Sequence, residues 1–505
     1  MQNKYALISV FDKTGIADFA KQIVNFGYKI ISTGGTAKTL QENGVQIIPI
    51  QDITGSPESF DGRMKTISFQ IESGILFDRS NLKHVKQAEA LKIKPIDLVI
   101  CNLYPFEKEQ TIENIDVGGP TMIRAAAKNF KNVIVAVDPN DYEKVANELK
   151  KPTPELRKKL AAKAFAHLSL YDSQIAKYLT SELFPNEVTI PGRKAKDLRY
   201  GENPHQQASL YFFPNTNSPL KKLERLWGRE LSLLNVTDIN AGLASVKMFN
   251  EPAAAVIKHN NPCGIALGKN AAEALKLAIA ADPESAFGGV MVLNKPINTA
   301  TASVITMFKD EKKSNVDILA APEIDKEAFA VLSKLRKSMG IYVFGAIPKI
   351  TDPMDIKHIE GGFILQTADD VLNGFSGWEV VTQKKPTEQQ LQQMQIAWKF
   401  ITRIKSNAVI VVDKDLPMTR GIGTGQTSRV RAVKIALEQA GDHIKNAILA
   451  SDSFFPFGDS VALAANKGIS AIVQQGGSIN DQSSIDAANK AGIAMVFTHR
   501  RAFWH

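Results

Sequence analysis

The sequence predicts an α/β protein in which parallel sheet is covered by helices, divided into two to four domains. Three observations carry this reading. Across the first 140 residues, short β-rich runs alternate with helical patterns, the order that packs a parallel sheet between helical layers. The chain has 505 residues, against about 150 for a typical domain. Apolar residues make up 44% and charged residues 22%, so a chain this long buries ample core without disulfide or metal staples.

Strands are predicted at 4–10, 28–32, 46–50, 97–101 and 133–137, with helices at 15–26, 36–43 and 120–129. Tyr5 to Val10 is apolar, but Asp12 and Lys13 interrupt it too soon for a signal-peptide core. Pro120 suits the first turn of its helix. Residues 151–182 read as a polar helix with Pro152 and Pro154 at its start, and the turn-rich stretch Pro185 to Gly201 reads as a domain junction. Beyond it, strands are predicted at 253–258, 289–293, 408–412, 447–450, 470–474 and 494–497, mixed with helices. The helix at 388–403 opens on a capping box, Thr387 with Gln390. A faint echo, Lys258-His259-Asn260 against Lys405-Ser406-Asn407, hints at a duplicated unit.

Charge and cysteine content bound the function. Net charge is 61 − 52 = +9, which favours anionic partners. The basic clusters (Lys150-Lys151, Arg157-Lys158-Lys159, Lys312-Lys313, Lys384-Lys385) are short, which argues against nucleic acid and leaves small anionic substrates open. Cys101 and Cys263 stand far apart, so a disulfide framework or cysteine-rich zinc site is not expected. No apolar run reaches eighteen residues, which excludes a spanning helix. Together these features lead to the expectation of a reduced, cytoplasmic, multidomain soluble protein.

Several motifs could carry chemistry. Ser32-Thr33-Gly34-Gly35-Thr36 follows a strand and opens a helix, where glycines and free N–H groups suit an anion. Ser9 to Gly15, with Lys13, repeats the arrangement after the first strand. Both turns would face the carboxyl ends of the strands, where such folds bind ligands; two ordinary tight turns read equally well. Arg63 and Lys65 could clamp an anion, or sit in a solvated loop. Tyr104 is a hydrogen-bond donor or a packing aromatic, and Asp116 leads into a helix whose end carries Lys128, which suits the helix dipole.

In the second half, Lys258-His259-Asn260-Asn261-Pro262-Cys263-Gly264 is the sharpest cluster. There His259 is a candidate general base and Lys258 an acid or charge stabiliser. Zinc fits poorly, because no second cysteine follows. Gly421 to Arg429 is glycine-rich but neither a Walker loop nor a dinucleotide fingerprint; it cradles a ligand or simply turns. Phe454-Phe455-Pro456-Phe457 offers an aromatic wall or core packing, and the ring-bearing terminus Phe503-Trp504-His505 suggests a docked tail.

Taken in order, these motifs resemble a known family. Lys-Thr-Gly at 13–15, Ser-Thr-Gly-Gly-Thr at 32–36, Arg-Met-Lys-Thr at 63–66, Cys-Asn-Leu-Tyr-Pro-Phe at 101–106 and Asp-Val-Gly-Gly-Pro-Thr at 116–121 come first. Arg-Ala-Ala-Ala-Lys-Asn at 124–129, Leu-Arg-Tyr-Gly-Glu-Asn-Pro-His-Gln at 198–206, Lys-His-Asn-Asn-Pro-Cys-Gly at 258–264 and Ser-Ala-Phe-Gly-Gly at 285–289 follow. Lys-Ser-Asn-Ala at 405–408 and Ser-Asp-Ser-Phe-Phe-Pro-Phe at 451–457 complete the set. Over essentially its whole length the chain resembles the bifunctional purine-biosynthesis family that joins AICAR formyltransferase to IMP cyclohydrolase.

The resemblance implies a methylglyoxal-synthase-like domain over 1–190 and a formyltransferase region over 195–505. The latter would comprise two cytidine-deaminase-like units without zinc, divided near 370–390. It implies formyl transfer from 10-formyltetrahydrofolate, as co-substrate, to AICAR, then closure of formyl-AICAR to IMP with no metal required. A domain that only binds an anion is the alternative for the first unit. Formyl transfer would fall to Lys258, His259 and Asn407. Arg199, Tyr200, Arg501, Phe503 and His505 would frame the nucleotide, Asn240 and Asp317 the amino-imidazole, and Gly425, Phe455 and Asp459 the folate. For ring closure the resemblance implies Lys65, Tyr104, Asp116 and Lys128, with Ser9, Lys13, Ser32, Gly35, Thr36, Arg63 and Thr66 on phosphate and ribose. It also implies a homodimer. The chain departs from the family pattern at Ile67-Ser68-Phe69, Gln475, Ala502 and Trp504.

Overall fold

A computed structural model describes residues 4–149, 153–312, 315–335, 337–348, 354–369 and 375–505. Lys150, Lys151, Pro152 and Lys313 lie outside the described residues, as does part of the 370–390 stretch. The chain divides into two units, one running to Arg193 with Phe213–Asn215, the other Lys194–Phe212 with Thr216–His505.

Unit 1 runs β1 (Lys4–Val10), α1 (Ile16–Asn25), β2 (Tyr28–Ser32), α2 (Gly34–Glu42), β3 (Ile47–Pro49), α3 (Gln51–Thr54), α4 (Phe69–Leu76) and α5 (Leu82–Ala90). It continues β4 (Ile96–Asn102), α6 (Gly118–Lys128), β5 (Ile134–Ala136), α7 (Tyr142–Glu148) and α8 (Pro154–Leu179). The sheet order is β3-β2-β1-β4-β5, with every pairing parallel. Side chains alternate between two buried faces: Leu7, Val99 and Val135 join one core, Ala6, Ile8, Leu98, Ile100 and Ile134 the other. Both faces being covered, the strands read as continuous apolar runs. All five expected strands of this unit are present, with ends moved by no more than two residues.

Helices α3 to α5 lie between β3 and β4, where no element was expected. Two are started by local caps: the Ser68 hydroxyl accepts from the Ile71 N–H at 3.1 Å, and Asn81 accepts from Lys83 at 3.0 Å. Ser68 therefore has a structural use within the departing Ile67-Ser68-Phe69 segment. The long polar helix begins at Pro154, capped by Thr153 on the Leu156 N–H at 3.1 Å.

Unit 2 opens with the paired strands β6 (Arg193–Asp197) and β7 (Ser209–Phe212), then β8 (Glu224–Trp227), α9 (Leu233–Val246), β9 (Ala253–Lys258) and β10 (Asn261–Leu267). Next come α10 (Ala271–Ala281), β11 (Gly289–Leu293), α11 (Thr299–Lys312), β12 (Val316–Ala321), α12 (Lys326–Leu335) and β13 (Gly340–Val343). After the hairpin β14 (Met354–Ile359) and β15 (Gly362–Thr367) follow β16 (Glu379–Val380), α13 (Glu388–Ile401), β17 (Val409–Val412), β18 (Thr419–Gly423) and α14 (Arg429–Ala440). The remainder is β19 (Ile448–Ser451), α15 (Asp459–Lys467), β20 (Ala471–Gln474), α16 (Asp481–Ala491) and β21 (Ala494–Phe497). The Thr387 capping box of α13 is present.

One sheet runs β10-β9-β11-β12-β13-β8 and the other β18-β17-β19-β20-β21-β16. Both step through antiparallel, antiparallel, parallel, parallel and antiparallel neighbours, so the two sheets share one topology. The Lys-x-Asn echo does not mark this correspondence. Lys258-His259-Asn260 closes β9, whereas Lys405-Ser406-Asn407 precedes its counterpart β17, so the two matches stand at opposite strand ends. The sheets meet along β10 and β18: Ala266 bridges Met418, the Leu267 N–H donates to the Pro417 carbonyl at 2.9 Å, and Ile265 donates to the Thr419 hydroxyl at 3.2 Å. A shared core beneath includes Ile239 and Val246 of α9 with Met394, Trp398 and Ile401 of α13.

Candidate active sites

In unit 1 the turn after β2 enters α2 through Gly34, held at φ +54. The first N–H groups of a helix lack intrahelical partners, and here two cations stand over them. A Cβ on Gly34 would lie 3.2 Å from Lys65 Nζ, and one on Gly35 3.8 Å from Lys13 Nζ. The result is an anion cradle built from backbone donors and two ammonium groups, Lys65 being paired with Glu58 at 3.3 Å and Lys13 donating to Phe11 O at 3.2 Å. Lys13 is placed by the loop after β1, where Asn102 Oδ1 accepts from the N–H groups of Phe11 at 2.7 Å and Asp12 at 2.8 Å. Asn102 lies in the Cys-Asn-Leu-Tyr motif but was not among the expected site residues; its signal was a polar amide at the end of a buried strand.

A second helix start adjoins Lys65. Asp116 Oδ1 accepts from the Gly119 N–H at 2.8 Å, and its own N–H donates to the Tyr171 hydroxyl at 2.9 Å. Burial raises the Asp116 carboxyl above its ordinary value, opposed by the Gly119 N–H, the Lys65 charge and the Tyr104 N–H. Thr66 is buried against Gly118, where a Cβ would strike its hydroxyl. Tyr104 is 41% exposed, its ring edge-on to Phe11 at 5.7 Å. Ser9 is half-buried on β1 in register with Cys101.

Four of the residues expected at the unit 1 site stand apart from the cradle. Ser32 and Thr36 are buried, with hydroxyls committed to backbone: Ser32 donates to Ile8 O at 2.8 Å, and Thr36 donates to Val10 O at 2.9 Å and accepts from its N–H at 3.0 Å. Their side chains shape the cradle and do not face it. Arg63 points to solvent and pairs with Glu113 at 2.5 Å. Lys128 is exposed at the far end of α6, roughly 15 Å of helix from Asp116.

In unit 2, strand β9 delivers Lys258, whose Nζ donates to Phe287 O at 3.1 Å. His259 and Asn260 form a two-residue hairpin turn, both at positive φ (+54 and +62), and Asn261 pairs back with Lys258. The exposed His259 stands at the tip. Asn261 ties this turn to the second sheet: its Oδ1 accepts from the Thr424 hydroxyl at 3.0 Å and the Lys405 N–H at 3.4 Å. The Gly425 N–H, at φ +63, donates to Lys405 O at 2.7 Å.

Asn407 follows a cis Ser406–Asn407 peptide. Its Oδ1 accepts from Arg429 Nη2 at 2.6 Å and its Nδ2 donates to Gln426 O at 2.8 Å. Because guanidinium only donates, the amide orientation is fixed and one Nδ2 hydrogen remains for a ligand oxygen. Arg429 is buried, paired with Asp452 and donating to the Ser451 hydroxyl at 2.9 Å. The tail is docked on this network: Ala502 N–H donates to Asp452 O and Trp504 O accepts from Ser406 N–H, each at 2.9 Å. The Phe503 ring lies under the guanidinium groups of Arg501 at 4.5 Å and Arg429 at 5.9 Å, and His505 meets it edge-on.

Other expected residues are scattered more widely. Arg199 stacks on Tyr200 at 4.7 Å. Asp317 is held by Arg229 at 2.6 Å and by Asn235 Nδ2 at 3.1 Å. Asn240 is exposed on α9, roughly 140° round the helix from Asn235, and so turned away from Asp317. Asp459 is exposed at the start of α15, accepting from Ser460 N–H at 2.7 Å. Phe455 is fully buried in the core behind β19, so its neighbour Phe457, 62% exposed, is the available aromatic.

Comparison with known proteins meets this geometry. The family described as AICARFT/IMPCHase bienzyme matches residues 126–439, and the MGS-like domain matches 15–131. The chain is 44% identical to the bifunctional purine biosynthesis protein PurH of Listeria monocytogenes serotype 4b and 45% identical to that of Acetivibrio thermocellus. Both alignments cover 99% of this chain and 100% of the relative. The chain belongs to the AICARFT/IMPCHase bienzyme family. The bienzyme catalyses the last two steps of purine biosynthesis, as AICAR formyltransferase and IMP cyclohydrolase. A solved structure titled crystal structure of ForH aligns at 33% identity with 36% of this chain and all of its own, with a TM-score of 0.33. No described helix of the bienzyme is long and apolar enough to cross a membrane. Among its described residues no group of three or more His, Cys, Asp or Glu side chains is placed to hold a metal.

Proposed function

We propose that unit 2 transfers the formyl group and unit 1 closes the ring. The observation that carries this assignment is the meeting of the Lys258-His259 turn with Asn407 and the docked tail, joined through Asn261. The amine of AICAR attacks the formyl carbon of 10-formyltetrahydrofolate. His259 accepts the amine proton, Lys258 supplies a proton to the departing folate nitrogen, and the free Nδ2 hydrogen of Asn407 holds the formyl oxygen. Arg199, Tyr200, Arg501, Phe503 and His505 contact the nucleotide, and Gly425, Asp459 and the exposed Phe457 lie on the folate side.

In unit 1 the phosphate of formyl-AICAR sits over the α2 N-terminus between Lys13 and Lys65. The carboxamide nitrogen adds to the formyl carbon and water leaves. Lys65 and Tyr104 stabilise the oxygen that bears charge during that addition, and Asp116 at the start of α6 accepts the proton. We further propose that unit 2 is a duplicated pair of cytidine-deaminase-like folds, that neither step uses a metal, and that the enzyme is a cytoplasmic homodimer.

An assay with AICAR and 10-formyltetrahydrofolate, following tetrahydrofolate and IMP by separate signals, tests the reading. Both products should rise in step. Folate release with accumulating formyl-AICAR would leave unit 1 as a binding module; absence of both would overturn the assignment.

A further inference from the structure

We infer that Asp238 is a positioning residue for formyl transfer, holding the His259-Asn260 turn in its left-handed shape so that Lys258 and His259 face the transferred group. This rests on the reading of unit 2 given above. Neither His259 nor Asn260 is glycine, yet both adopt positive φ, +54 and +62. That region is uncommon for L residues, although Asn and His enter it more readily than most, and a hydrogen bond from outside the turn helps to hold it. Asp238 accepts that bond. It is buried on α9 and its Oδ1 accepts from the Asn260 N–H at 2.6 Å.

The carboxylate is available for this purpose because its neighbour is not. Asp317 is occupied by Arg229 and Asn235, whereas Asp238 faces the exposed backbone of the turn. Burial raises its proton affinity, and the Asn260 N–H and the neighbouring His259 pull it back, as expected for a carboxylate that exchanges water for an amide donor. The turn is also pinned from the far side by Asn261 on Thr424 and Lys405. Asp238 and Asn261 thus grip it from opposite ends, and His259 projects from the gripped segment.

The test uses the full-length enzyme with both activities measured. Asp238→Asn should lower kcat for formyl transfer roughly 100-fold, the scale of an ångström-sized misplacement, with KM for AICAR within about threefold and ring closure from formyl-AICAR unchanged. Adding Asn260→Gly, which takes positive φ without steric cost, should restore at least tenfold of that loss. An unchanged rate in Asp238→Asn, or a loss that glycine does not rescue, overturns the inference. Should Asp238→Asn fail to fold, Asn260→Val makes the same test from the turn itself, since a branched side chain opposes positive φ; an unaltered rate there overturns it equally. His259→Ala is the separate arm: retained formyl transfer would remove the reading of unit 2, whatever Asp238 does.

Discussion

Replacing Gly34 by alanine probes the unit 1 cradle at its narrowest point. Gly34 sits at φ +54, where an L residue costs about 1–2 kcal/mol. The new methyl would also stand 3.2 Å from Lys65 Nζ, tight enough to move the ammonium group off the α2 N-terminus. Two effects follow from one atom. Unit 1 should lose about 1–2 kcal/mol, which for a unit of this size lowers its unfolding midpoint by about 2–8 °C. Ring closure should fall about tenfold or more, because the phosphate loses one cation and the oxyanion its stabiliser. Calorimetry reads the first effect, and conversion of formyl-AICAR to IMP the second, with formyl transfer as the internal control. Gly35→Ala should do less damage, since its methyl meets Lys13 only at ordinary contact distance. If Gly34→Ala melts like the parent and closes the ring at the parental rate, the cradle is not where the substrate phosphate binds.

Three further expectations follow from the same structure. Glu72, half-buried with an Oε1 that has no partner among the described residues, has its carboxyl raised by burial to about 7. Stability from the neutral form is then present at low pH and is lost as pH rises through 7. Discounted for partial exposure, the change is about 1–2 kcal/mol, so Glu72→Gln should flatten the fall of the unit 1 midpoint between about pH 4.5 and 7. Arg429→Met leaves Asp452 buried without its cation and should destabilise unit 2 by about 3–5 kcal/mol, read by denaturant unfolding of the full chain. Asn261→Ala cuts the link from the turn to Lys405 and Thr424. It should reduce formyl transfer about 10- to 100-fold while ring closure persists, measured by separate folate and IMP signals.

The expected positions held best where burial is strongest. Strands β1, β2, β4 and β5 are covered on both faces, so their apolar runs announce themselves without any knowledge of partners. Elements stabilised locally by polar side chains, such as α4 behind Ser68 and α5 behind Asn81, have weak apolar patterns and were missed. Short strands such as β8, β13 and β18 take their shape from partners across the sheet, as Trp227 does opposite Ile341, and carry too few residues for a period to be counted.

By itself the sequence determined the class of fold, the motifs and which of them sit at strand ends, because apolar periodicity and turn chemistry are local properties. It also carried the family likeness that full-length relatives bear out. Only the tertiary structure decided which motif residues meet. Pairing of β10 with β18 brings Asn261 onto Lys405, 144 positions away, and docks the tail beside Arg429. Packing within unit 1 buries Ser32 and Thr36 and puts Lys128 at the far end of α6, and packing within unit 2 buries Phe455 and turns Asn240 from Asp317. It also exposes Asp238, Asn102 and Arg429 as supports, since a buried polar group reveals its purpose only through the partner that satisfies it.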